Sequence, residues 1–293
     1  MSGAGPPRRL EQGSPSATAQ SVAVRRAAHQ LLDEPKVFDD PMALTVIGGD
    51  AAEALRRDLD QQRTPWNQAM RAFMAARSRY AEDRLAVAYR LGVRQYVVLG
   101  AGLDTFALRN PHPDLAVFEV DHPSTQAWKR ARLADIGVSA RPGLTFAPVD
   151  FQSQDLAEGL AAAGFDAARP AIFSWLGVAM YLPDPAVFRT LSFVVGLPAP
   201  SEIVFDFMIP PELMSPASRL AAQALVRRVA ELGEPFRSAF DPAGLVRRML
   251  DVGFAEAETL GAAELNQLYF EGRGDGLRLG GSGRLARATR GRV

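Results

Sequence analysis

Gly100-Ala101-Gly102, set between the apolar run Tyr96-Val97-Val98-Leu99 and the polar pair Asp104-Thr105, is where the sequence first points to chemistry. Four β-favouring residues ending on glycine predict a buried strand. Leu103 to Arg109 can open a helix, so the glycines fall at a strand-to-helix turn. Lacking Cβ atoms, Gly100 and Gly102 permit a tight turn and close backbone approach to a ligand at the carboxyl end of a parallel strand. Alone, Gly-x-Gly is more often an ordinary βα turn. Two acids narrow the choice. Asp121 closes the run Ala116-Val117-Phe118-Glu119-Val120 about 20 residues beyond the turn, the spacing at which a βαβ unit brings a carboxylate to a ribose. Glu119, two residues earlier on the same strand face, is the alternative ribose acceptor, and a helix N-cap is the competing use of Asp121. Asp150 closes a third run, Leu144 to Val149. Thr105 occupies the third glycine position of G-x-G-x-x-G, a departure that leans away from NAD.

Arg77 is the most informative charge. On a helix its neighbours three and four residues away are Phe73, Met74, Tyr80 and Ala81, none an acid, whereas Arg79 has Glu82 and Asp83 at those spacings. Arg77 is therefore left wanting an anion. His29, His112 and His122 have no convincing partner in sequence, and no catalytic base is assigned. The absence of cysteine excludes disulfides, thiolate metal sites and a cysteine nucleophile, and no metal site is expected.

The elements that must hold these groups alternate. Strands are expected at Gln95–Leu99, Ala116–Val120, Leu144–Val149, Ala171–Leu176 and Glu202–Met208, with helices near 124–136, 153–163 and 185–195, a pattern that specifies a parallel, doubly wound α/β sheet. Before them lies a helical stretch: Thr18–Leu32, Ala51–Leu59, and one long helix from Trp66 to Leu91 with Thr64 as cap and Gly92 as stop. Pro211–Leu232 and Pro242–Leu250 are expected helical, and Ala255–Thr259 and Gln267–Phe270 are candidate closing strands. With 293 residues and 47% apolar content, a single domain is expected over 18–279, comprising a helical cap (18–92) and an α/β core (93–279). Residues 1–17, rich in Gly, Pro and Ser, are expected to be disordered. Residues 280–293, carrying Arg284, Arg287, Arg290 and Arg292 without an acid, are expected to be a flexible basic tail. A net charge of zero offers no field for nucleic acid or an anionic membrane. No run reaches the roughly 18 apolar residues of a membrane span, and a cytoplasmic location is expected.

Gly100-Ala101-Gly102-Leu103-Asp104-Thr105, Glu119-Val120-Asp121-His122-Pro123 and Ala76-Arg77-Ser78-Arg79-Tyr80 resemble the leucine carboxyl methyltransferase-like group of S-adenosylmethionine-dependent methyltransferases. The likeness runs from about Ser21 to Tyr269-Phe270-Glu271-Gly272-Arg273, nearly the whole chain. It implies a class I methyltransferase (Rossmann-like) fold with an antiparallel edge strand and an N-terminal helical extension over the cofactor. It also implies methyl transfer to oxygen, often a carboxylate, on a small molecule. In such a site Arg77 would take the cofactor carboxylate, Gly100, Ala101 and Gly102 would form the turn beneath it, and Asp121 would take the ribose. Asp150 and Phe151 would hold the adenine, with a helix cap as the equal alternative for Asp150. The fourth strand would end facing the methyl group, making Trp175 and Tyr181 candidates for substrate contacts, with the core as the competing assignment. Leu176 stands where many relatives have glutamate, suggesting a more apolar wall. An NAD(P)-dependent oxidoreductase and a non-catalytic ligand-binding relative are the alternatives weighed.

Overall fold

A computed structural model describes residues 16–139, 141–151 and 154–291. The disorder expected for 1–17 therefore falls mostly outside the described residues, but Ser16 and Ala17 do not. The Ser16 hydroxyl accepts from the Ala19 N–H and caps α1 (Ala17–Leu32). Two short helices, α2 (Ala43–Ile47) and α3 (Gly49–Arg57), follow, and then α4 (Pro65–Arg90). The last begins where the sequence places it. Thr64 accepts from the Asn67 N–H, and Pro65 at the first helical position gives up a donor that would have no partner there.

The core then alternates β1 (Gln95–Leu99), α5 (Phe106–Arg109), β2 (Ala116–Asp121), α6 (Pro123–Asp135), β3 (Leu144–Pro148), α7 (Leu156–Ala162), β4 (Ile172–Trp175), α8 (Asp184–Val195) and β5 (Ser201–Phe207). It closes with α9 (Pro216–Glu231), α10 (Pro242–Val252), β6 (Glu256–Leu260), α11 (Ala262–Tyr269) and β7 (Arg284–Arg290). The seven strands are ordered β3-β2-β1-β4-β5-β7-β6. β1 to β5 run parallel, and β7 is antiparallel to both β5 and β6. The order reverses between β1 and β4, where a doubly wound sheet opens its ligand crevice. All five residues of β1 and all seven of β5 are buried, as expected of strands covered on both faces.

Two expectations at the C-terminal end are corrected. Gln267–Phe270 is not a strand: Gln267 to Tyr269 lie in α11, whose first turn is closed by the Glu264 carboxylate accepting from the Gly261 N–H. The segment read as a flexible basic tail contains β7, a strand with a neighbour on each side. Leu285, Ala286, Ala288 and Thr289 are buried in it. Arg287, without an acid in its own segment, pairs with Glu202 of β5 at 3.1 Å and with Glu258 of β6 at 3.3 Å. The Arg84 guanidinium of α4 meets the same Glu202 at 2.7 Å, so this strand is also joined to the helical cap.

Within the cap, Asp33 accepts from the Arg71 Nε at 2.6 Å, while His29 Nε2 accepts the N–H groups of Val37 and Phe38. Burial raises the Asp33 carboxyl, but its hydrogen bonds from Arg71 and His29 win and hold it below the ordinary carboxylate range. The stability it contributes is present above the unfolded carboxylate value and is lost as pH falls through the lowered one.

Truncating the chain after Gly283 should abolish cooperative thermal unfolding followed by circular dichroism, because β5 and β6 each lose a ladder. A truncated protein that melts like the full chain would contradict the central placement of β7.

Candidate functional site

The turn between β1 and α5 is held from four sides. Gly100 and Gly102 take φ of 64° and 46°, which side chains disfavour, and the Ala101 N–H donates to Val120 O at 3.0 Å. A Cβ on Gly100 would lie 2.2 Å from Val178, and one on Gly102 would lie 3.4 Å from the Ala19 Cβ of α1. The close approach these glycines permit is thus first that of the protein's own α1 and the segment after β4. With only four residues, α5 offers little helix dipole to the turn.

Asp121, at the end of β2, reaches across to the turn: its Oδ2 accepts from the Gly102 N–H at 2.5 Å and its Oδ1 from the His122 N–H at 2.7 Å. Burial raises its carboxyl above the ordinary range, against the lowering from those two N–H groups. Each oxygen retains lone-pair capacity, so the group can still accept hydroxyl donors. Glu119, the alternative ribose acceptor, is placed elsewhere. It is buried beneath the turn, its Oε2 accepting from the Lys129 Nζ at 2.6 Å, and the same Nζ donates to Asp104 O at 2.7 Å. Glu119 therefore braces the turn from below, a correction to its reading as a ribose ligand.

Thr105 explains the missing third glycine. Its hydroxyl accepts from the Arg26 Nη2 at 2.7 Å and donates to Asp40 Oδ2 at 2.8 Å, while Arg26 and Asp40 also pair directly. Thr105 and Asp40 are fully buried, and this contact fixes α1 and the segment after it onto the turn. Spacing in sequence could not have found it, since Thr105 lies 79 residues from Arg26 and 65 from Asp40.

Arg77 projects from α4 to the carboxyl ends of β4 and β5. The expectation that it has no acid holds only locally: its Nη1 donates to Asp206 Oδ2 of β5, and Asp206 Oδ1 accepts from the Gly177 N–H after β4. Its Nη2 sits beside Gly177, where an added Cβ would be 3.1 Å away, and Phe73 packs 5.9 Å from the guanidinium. Nη2 and Nε have no hydrogen bond among the described residues, leaving one edge of the fork for a ligand. Positive charge gathers here. Burial, then Arg228 of α9 and Arg77, push the Arg25 guanidinium below its ordinary value.

The aromatic candidates part company. Trp175 is fully buried in the main core, 5.8 Å from Phe205, and this corrects its reading as a substrate contact. Tyr181, in the short 3-10 turn Ala179–Tyr181, is half-buried and packs on Phe236 at 5.0 Å. Burial pushes its hydroxyl up to about 12, while a hydrogen bond with Thr18 of α1 opposes the rise, so near neutral pH Tyr181 is a donor and not a base. Leu176 is half-buried against the cluster that contains Phe38, Tyr80 and Val204, on which Phe73 and Tyr269 also pack, and this agrees with an apolar wall. Asp150 and Phe151 follow β3 beside the end of β2, where the Val149 N–H donates to Asp121 O at 2.9 Å. The Asp150 N–H donates to Gln154 Oε1 at 2.8 Å, and Phe151 packs partly against the core.

The histidines have structural partners that the sequence partly advertised. His29 in the last turn of α1 and Asp33, the residue that caps that helix, are four apart and meet at 2.7 Å. His122 caps α6, its Nδ1 accepting from the Ser124 N–H. His112 stacks on Tyr89 at 3.8 Å. Among the described residues no group of His, Cys, Asp and Glu could hold a metal ion, and no helix is long and apolar enough to cross a membrane.

A cavity lies away from the glycine turn. A space of about 540 Å³ lies over the carboxyl end of β5, between Met208 and Ile209, α9 and the segment 236–239. It adjoins the turn region through Phe236, which packs on Tyr181.

A family model described as leucine carboxyl methyltransferase matches residues 19–195. YktD of Bacillus subtilis, provisionally named an S-adenosyl-L-methionine-dependent methyltransferase, is 29% identical over 291 residues, covering 92% of this chain and 95% of its own. A protein of Mycobacterium ulcerans with the same provisional name is 34% identical over 76% of this chain and 70% of its own. A crystal structure from Thermobifida fusca, titled as a provisional methyltransferase, aligns with a TM-score of 0.59 at 19% identity over 98% of this chain and 99% of that one. At that identity the likeness concerns the fold.

Replacing Thr105 by Val should cost about 1–3 kcal/mol of unfolding free energy in urea, because a hydroxyl that both accepts and donates is lost among buried partners. Thr105→Ser should stay near wild type. Equal stability of Thr105→Val and wild type would contradict the described anchor.

Proposed function

We infer the reaction from the family: the chain belongs to the leucine carboxyl methyltransferase family and is an S-adenosylmethionine-dependent methyltransferase. The acceptor, in this proposal, is an oxygen of a small molecule, a carboxylate or a hydroxyl. The observation that carries the site assignment is a convergence at the β1–β4 reversal: a glycine turn, the Asp121 carboxylate at the end of β2, and an arginine fork with one free edge. These groups match the chemistry of the cofactor, with Asp121 for the ribose hydroxyls, Arg77 for the amino acid carboxylate, and Asp150 and Phe151 at the adenine.

When bound by Arg77, Asp121 and the Gly100–Gly102 turn, S-adenosylmethionine would supply a methyl group activated by its sulfonium, for transfer to the acceptor oxygen with the neutral thioether as leaving group. The protein's own work is orientation and exclusion of water. α1, held by Arg26, Asp40 and Thr105, covers the turn, and the Tyr181 hydroxyl lies against it through its hydrogen bond with Thr18. Around the turn the titratable groups are engaged: Glu119 with Lys129, Arg26 with Asp40, His122 as a cap. A carboxylate acceptor, already ionised and needing no base, therefore suits the site better than a hydroxyl, which must lose a proton.

Calorimetry with S-adenosylhomocysteine should show one site, and methyl transfer should be detected on a panel of carboxylic acids. Asp121→Asn should weaken the binding by about 1–3 kcal/mol with the fold retained. Affinity should fall with acidity sooner than an ordinary carboxylate would require. The ribose needs ionised Asp121, and its raised pKa means that protonation begins higher as pH drops. Binding of NAD without response to S-adenosylhomocysteine would overturn the assignment.

A further inference from the structure

We propose that the cavity over β5 is the acceptor subsite and that it takes an organic acid with an apolar body, its acid group beside Arg237. The proposal rests on the methyltransferase reading only in calling the occupant the acceptor; the binding itself does not. At about 540 Å³ the space has the size of a small-molecule site. Its walls are apolar: Met208, Ile209, Met214, Ala222, Val226 and Phe236. Its charged lining residues are Arg219, Arg227 and Arg237, with no acid among the residues lining it. Arg219 is occupied as a brace, its guanidinium donating to Pro211 O and Met214 O. Arg227 and Arg237 have no ion pair among the described residues. An apolar chamber fringed by unneutralised guanidiniums favours an amphipathic anion over a neutral hydrocarbon or a cation.

Position relates this chamber to the reaction. The Arg237 N–H donates to Met180 O at 2.7 Å and the Ser238 hydroxyl to Ala179 O at 3.1 Å, so the Arg237 end is tied to the turn that carries Tyr181. An acid group at that end would lie beside the Tyr181–Phe236 pair, on the side of the cavity formed by the segment after β4. Methylation would then remove the charge that Arg237 and Arg227 attract, and the neutral ester would be held less well than the acid.

Two fluorescent probes with the same ring system separate the parts of this claim: 1-anilinonaphthalene-8-sulfonate, an anion, and N-phenyl-1-naphthylamine, which lacks the sulfonate. The full chain should bind the anionic probe at one site, about tenfold tighter than the neutral one. Val226→Trp, which fills the cavity from an exposed position, should weaken both probes about tenfold or more. The double variant Arg227→Gln, Arg237→Gln should erase the preference while leaving the neutral probe unchanged. S-adenosylhomocysteine calorimetry on each variant should match wild type, which reports folding and keeps the two proposals apart. If Val226→Trp loses that calorimetric signal, Gln223→Trp replaces it. Unchanged probe affinity in the cavity-filling variant, or an unchanged preference in the arginine variant, would overturn the proposal. Failure of wild type to bind S-adenosylhomocysteine would overturn the cofactor reading alone.

Discussion

The ion pair between Arg77 and Asp206 is the joint through which the helical cap meets the ligand edge of the sheet. Both groups are buried, and both have further work: Asp206 also accepts the Gly177 N–H, and Arg77 keeps part of its fork open. Desolvating two charges is repaid only when geometry and additional hydrogen bonds satisfy them, and breaking such a pair by removing one partner costs about 3–5 kcal/mol. The pair therefore ties the pitch of α4 to the ends of β4 and β5. It also leaves the guanidinium at one defined place beside Gly177.

The same device recurs along the cap. Arg26 and Asp40 seize Thr105 of the glycine turn, Glu82 of α4 pairs with Arg109 of α5, and Arg84 reaches the buried Glu202 at the start of β5. None of these cap helices adds a strand, so their position over the sheet is set by buried charges together with apolar packing such as that of Ala72, Ala76 and Tyr80 against Leu285 and Val204. Charge pairs have a narrower range of acceptable geometry than apolar contacts. A cap held in this way can exclude water from a methyl-transfer site while its inner face remains polar enough to take an amino acid carboxylate.

Much of the core was legible because its strands are apolar runs with glycine or acid at the end, and the long helix announced both its cap and its stop. What failed did so for identifiable reasons. β7 reads as a tail because its arginines have no acid nearby in sequence and its apolar residues do not alternate with polar ones, yet Arg287 is neutralised by Glu202, 85 positions upstream. Arg77 looked unpartnered for the same reason, its acid lying 129 residues away. His29 and Asp33 are the opposite case: their four-residue spacing is itself a helical pairing signal in the sequence. Trp175 and Tyr181 were indistinguishable as aromatic residues at a strand end. Only the structure separates the one inside the sheet packing from the one turned toward α1.

The claim that the open edge of Arg77 reads the cofactor carboxylate is tested most directly by calorimetry on Arg77→Lys. This substitution keeps a cation for Asp206 and avoids stranding a buried acid. The titrations use S-adenosylhomocysteine and its analogue lacking the amino acid carboxylate. Wild type should prefer the full ligand by about tenfold or more, and Arg77→Lys should lose most of that preference while binding the truncated analogue as wild type does. A variant that retains the full preference would contradict the account and move the carboxylate to other donors.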